Sequence, residues 1–116
     1  MDILFKVLPE FARRAKFLAK KYKSFVSDYD HLLEELTVNP YQGKDLGNGV
    51  YKTRMSIASK GKGKSGGARV LTYNVHKVNP ETIIVVLMSI YDKSEMENVS
   101  DSYIRAILHD AKELNF

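Results

Sequence analysis

Lys52, Arg54, Arg69 and Lys93 are the residues whose types and spacing could do chemistry, and that chemistry would be on a phosphate. Lys52 and Arg54 are two apart, so on a strand they share a face. Arg69 opens the next strand-like run, and if the two runs pair, three cations converge on one patch of sheet. Concentrated positive charge there stabilises the charge that develops on a phosphate in a transition state. The same alternation also describes the solvated face of an antiparallel sheet. Lys93 lies in Tyr91-Asp92-Lys93-Ser94-Glu95, at the exit of the most apolar run, where functional groups often sit. Glu95 is a candidate base, a salt-bridge partner or a cap. Tyr73 or Tyr91 could stack on an unpaired base, and core packing accounts for Tyr73 equally well.

Between the two runs lies Ser59-Lys60-Gly61-Lys62-Gly63-Lys64-Ser65-Gly66-Gly67-Ala68-Arg69. Glycine lets this backbone approach a polyanion closely, and Lys60, Lys62 and Lys64 supply the charge. A flexible, solvated hairpin loop is the plain alternative. Ala58 to Ser65 fits a relaxed nucleotide-binding P-loop, but such a loop must open a helix whose amides hold phosphate. Here Arg69-Val70-Leu71-Thr72-Tyr73 reads as a strand, so no nucleotide cofactor is expected.

Elements must position these groups. Ile3 to Val7 reads as a strand stopped by Pro9. Phe11, Ala15, Leu18, Ala19 and Tyr22 recur at helical spacing, as do Phe25, Tyr29, Leu32, Leu33 and Leu36. Ser24 or Ser27 is a candidate cap between them, and Asn39-Pro40 ends the second helix. Together they suggest a helical hairpin. After a turn-rich Tyr41 to Gly49, strands are expected at Val50–Ile57, Val70–His76 and Thr82–Ile90, the last apolar enough to be covered on both faces. Asn79-Pro80 makes a turn between the last two, and Ser100 to Leu114 reads as a closing helix.

With 116 residues, one domain spanning 1–116 is expected. Net charge is +4, but its placement matters more: residues 52–69 hold Lys52, Arg54, Lys60, Lys62, Lys64 and Arg69 and no acid. There is no cysteine, and His31, His76 and His109 have no ligand spacing, so no metal is expected. No signal peptide or membrane-spanning run is visible, and a cytoplasmic location is the default.

Three segments together carry a resemblance: Val50 to Arg54, Ser59 to Tyr73, and Ile90 to Glu95. The chain resembles the RelE/HigB-type toxins of bacterial type II toxin–antitoxin modules, in particular the HigB-like branch with its long lysine-glycine loop. The resemblance implies an α+β fold, RelE/ParE-like, with a twisted antiparallel sheet, an N-terminal helical hairpin on one face and a C-terminal helix. It implies an endoribonuclease that enters the ribosomal A site and cuts the message (mRNA) there. It also implies a cognate antitoxin, often of helix-turn-helix type. Lys52 and Arg54 match the family's basic pair, Arg69 its arginine at the next strand, and Lys93 a basic position after the last strand. The family's C-terminal tyrosine aligns near Val99, a departure for which Tyr91 is the candidate substitute.

Metal-free RNA cleavage needs a proton acceptor for the 2′-hydroxyl, positive charge around phosphorus and a proton donor for the leaving 5′-oxygen. Arg69 and Arg54 suit the charge. Lys52 or Lys93 suits base or acid if neighbouring cations favour its neutral form, with Glu95 an alternative base. The ribosome would supply orientation. A non-catalytic nucleic-acid-binding module and a ParE-like gyrase-directed toxin are the competing readings.

Overall fold

The computed structural model describes residues 2–61, 63–78, 81–96 and 98–114. Lys62 and the Asn79-Pro80 turn lie outside them.

The chain runs β1 (Asp2–Val7), α1 (Pro9–Lys21), α2 (Phe25–Val38), β2 (Lys44–Gly47), β3 (Val50–Met55), a 3-10 turn (Ala58–Lys60), β4 (Ala68–Val78), β5 (Glu81–Asp92) and α3 (Asp101–Lys112). The strands form a single sheet in the order β1-β5-β4-β3-β2. The expected antiparallel pairing holds from β3 to β5, and β2 adds antiparallel to β3. At the other edge β1 lies parallel to β5, with Asp2 opposite Thr82 and Val7 opposite Leu87. The two helices between β1 and the rest of the sheet give the crossover length that a parallel pair requires.

Side-chain periodicity explains each layer. Pro9 starts α1, where a missing N–H costs nothing, and Lys20 and Lys21 in its last turn complement the helix dipole. Phe11 and Leu18 of α1, with Phe25, Leu32 and Leu36 of α2, are buried on one face of the sheet against Met55, Val70 and Val85. On the other face Ile107, Leu108 and Ala111 of α3 cover Val50, Leu71, Val86 and Met88. Every residue from Thr82 to Asp92 is buried, which is why β5 reads as an unbroken apolar run. Ser24 occupies the N-cap of α2, and its hydroxyl bonds to Asp28 and Ser59 rather than to a helix amide. No helix among the described residues is long and apolar enough to cross a membrane.

One strand, β2, stands where the sequence shows only turn residues. Asp45 accepts a hydrogen bond from the Gly47 amide, and left-handed Gly47, Asn48 and Gly49 close the tight link to β3. The segment is held by pairing with β3 rather than by any periodicity of its own.

Candidate nucleic-acid interface

The alternation of β3 sends Thr53 and Met55 under the helical hairpin and turns Lys52 and Arg54 to the α3 side. Arg54 stands directly opposite Arg69 in the β3–β4 register, and Arg69 directly opposite Tyr91 in the β4–β5 register. α3 covers only the Val50 end of this face. The other end is left as a cleft of about 770 Å³ lined by Lys44, Lys52, Arg54, Lys64, Arg69 and Lys93, among others. Five of these are cations that the sequence singled out, Lys64 of the loop among them. Lys44 was not, because it sits on the short strand hidden in the turn-rich segment.

Arg69 is the most constrained of them. Only 7% of it is exposed. Its guanidinium donates to the carbonyls of Lys64 (3.3 Å), Ser65 (3.1 Å) and Ala68 (3.3 Å). The lysine-glycine loop thus turns its backbone oxygens onto the arginine that follows it. Burial, and then the Arg54 charge, push the Arg69 pKa below its ordinary value. Both effects disfavour a cation without a counter-anion. Among the described residues, Lys44, Lys52, Arg54, Arg69 and Lys93 form no ion pair. Such a cluster is relieved by an incoming anion.

The loop is fastened at both ends. At its start the Ala58 amide donates to Asp28 and the Ser59 amide to Ser24. The Lys60 ammonium reaches buried Asp92 at 2.7 Å. Asp92 also accepts from the Tyr22 hydroxyl and from the amide and hydroxyl of Ser94. Burial alone would raise its pKa, but these donors, Lys60 foremost, hold it well below the usual carboxylate range. At its end the Lys93 amide donates to Gly67. A Cβ on Gly67 would sit 2.1 Å from the Met55 carbonyl oxygen, so only glycine lets β3 and β4 close there. Lys64 pairs with Glu35 of α2 at 2.5 Å.

Several expected site residues are placed elsewhere. Lys60 belongs to the Asp92 ion pair, with its side chain 7% exposed, and offers nothing to RNA. Tyr73 packs with Val50 and Leu71 in the core beneath α3. Tyr91 is 3% exposed and has no ring face free for a base. Among the described residues its hydroxyl has no hydrogen-bond partner, and burial raises its pKa against the opposing Arg69 charge. Glu95 pairs with Lys21 beside a second cavity, one between α1 and β5, so it is no base for the cleft. Val99 packs on the core at the foot of α3, and the nearby Tyr103 hydroxyl is committed to Ser89 and Glu10.

A family model described as the RelE toxin of the RelE/RelB toxin–antitoxin system matches residues 11–116. The chain belongs to the RelE toxin family. It is therefore a toxin of a toxin–antitoxin system, in a family whose members are generally endoribonucleases that inhibit translation. An antitoxin partner follows from the same membership. The RelE match includes β3, the lysine-glycine loop, β4 and β5, the elements that build the basic cleft.

Proposed function

We propose that this RelE-family toxin, of the HigB-like branch, enters the ribosomal A site in the cytoplasm and cuts the message there. The observation that carries the reading is the gathering of Lys52, Arg54, Arg69 and Lys93 in one cleft without an ion pair among the described residues. The 2′-oxygen of a ribose attacks the adjacent phosphorus, and the bond to the 5′-oxygen breaks. The products are a 2′,3′-cyclic phosphate and a 5′-hydroxyl. Arg69 and Arg54 hold the phosphate oxygens as charge builds. One of Lys52 and Lys93, as the neutral amine, would take the 2′-proton, and the other, as the ammonium, would give one to the leaving oxygen. Lys44 and Lys64 hold flanking phosphates. A cognate antitoxin of helix-turn-helix type neutralises the toxin.

One observation favours the rival reading of a non-catalytic RNA-binding module: the described residues that line the cleft include no carboxylate and no histidine. The ribosome compensates by fixing the message in a reactive geometry. Induced expression should arrest growth, and Arg69→Ala should relieve the arrest. Full toxicity of a folded Arg69→Ala protein would remove Arg69 from the mechanism, and arrest without cut message would favour the binding module.

A further inference from the structure

Lys60 and Lys64 are both paired with acids, but in different ways. The Lys60–Asp92 pair is buried, its side chains 7% and 0% exposed. The Lys64–Glu35 pair is open to solvent, its side chains 52% and 38% exposed. Breaking a buried pair is costly, whereas an exposed one adds little stability, so another anion can replace its acid. Lys64 also stands on a boundary. On one side it lines the cleft with Lys52, Arg54 and Arg69. On the other it lines a cavity of about 310 Å³ whose walls include Asp28, His31 and Glu35 of α2. Its backbone is fixed beside Arg69, whose guanidinium donates to the Lys64 carbonyl at 3.3 Å. From that anchor the ammonium swings on a flexible four-carbon stem, so a phosphate on Arg69 comes within its reach.

We propose that Lys64 exchanges its acid for RNA: Glu35 holds the lysine at the mouth of the cleft, and an entering phosphate takes it over. The proposal rests on the RNA reading of the cleft. The other five cleft cations have no ion pair among the described residues and repel a sixth. Phosphates that neutralise the cluster turn this repulsion into attraction, and Lys64 follows the strand. Glu35 is then a positioning residue, acting through Lys64 and touching no substrate. Its carboxylate keeps the lysine apart from the other cations until the strand arrives, and its competition lowers the affinity for RNA.

The test uses the full-length toxin and a short single-stranded 2′-O-methyl RNA, which lacks the attacking hydroxyl and stays intact. Affinity is measured over a range of salt concentrations. Lys64→Ala should make the slope of log affinity against log salt shallower by about 0.7, one phosphate contact on a single strand. Lys64→Arg should keep the wild-type slope, and Lys64→Gln, which retains most of the stem, should repeat the loss if Lys64→Ala fails to fold. Glu35→Gln should raise affinity about two- to five-fold, the worth of one exposed ion pair. In the Lys64→Ala background, little or none of that gain should remain. An unchanged salt slope in folded Lys64→Ala would overturn the proposal, because the lysine would then stay on Glu35. An equal gain from Glu35→Gln in both backgrounds would also overturn it, because the acid would then act by repelling RNA directly. In either case salt-dependent binding by the wild type leaves the cleft reading standing. Absence of salt-dependent binding would overturn both.

Discussion

Arg69 and Asp92 show how differently two buried charges are treated in adjacent positions of the sheet. Asp92 is fully compensated, with Lys60, Tyr22 and Ser94 all donating to it. Among the described residues, Arg69 is held by neutral carbonyls alone. The first is a structural tie and the second a charge kept for an anion. Asp92→Asn leaves Lys60 buried without its counter-ion, and breaking such a pair costs about 3–5 kcal/mol. For a domain of this size that is a loss of about 10–20 °C in Tm, readable by calorimetry. Acid should act through the same tie. The folded-state pKa of Asp92 is depressed. Glu10 is lowered from 4.5 to about 2, chiefly by the Tyr103 hydroxyl and against the cost of burial, with Arg13 and Arg14 helping. A depressed carboxylate stabilises the fold above its unfolded pKa, and that contribution is lost as pH falls through the folded value. Stability should therefore be level above about pH 5 and fall steadily from about 4.5 toward 2. Tyr103→Phe should flatten the part of this slope that belongs to Glu10, in urea titrations repeated across pH.

At the scale of elements, the lysine-glycine loop and the two strands it joins act as one unit. Its first residues are tied to Asp28, Ser24 and Asp92, and its last to Arg69 and the Lys93 amide. Gly67 is the point of closest approach. Gly67→Ala must push the Met55 carbonyl away, at about 1–3 kcal/mol, the range for forcing extra atoms into packed structure. Because that strain falls beside Arg69, activity should drop further than the change in urea midpoint accounts for. Equal activity per folded molecule would show that the loop does not set the arginine's position. Most elements were legible in the sequence, since the hairpin helices and β3 to β5 carry their own periodicity. Strand β2 was not, because four residues held by a neighbour show no pattern of their own. The parallel seating of β1 was also hidden, because a five-residue run with four apolar side chains does not name its partner. Among side chains, the Lys52–Arg54 pair was legible because alternation fixes the face. Burial of Lys60 against Asp92, and the placement of Glu95 with Lys21, depend on contacts across more than thirty positions of sequence and could not be read from spacing.

At the scale of the whole molecule, the sheet separates two tasks. One face is given to the helical hairpin and its apolar core. The other is shared between α3 and a cleft whose cations face outward. The acids that offset part of the basic charge, Glu35 and Glu95 among them, are spent on lysines at the rim and on the hairpin side. This division leaves a surface suited to RNA phosphates on a small, rigid support. On the proposed reading, a site rich in charge and poor in bases would take its geometry from a ribosome that already holds the message. The most direct measurement is primer extension on message from ribosomes stalled with an open A site, with wild-type toxin and folded Arg69→Ala. The wild type should cut within the A-site codon and not without ribosomes, and the variant should lose at least about a hundred-fold, as when one transition-state charge contact is removed. Equal cutting by Arg69→Ala, or cutting of free message at the same rate, would contradict the proposed function.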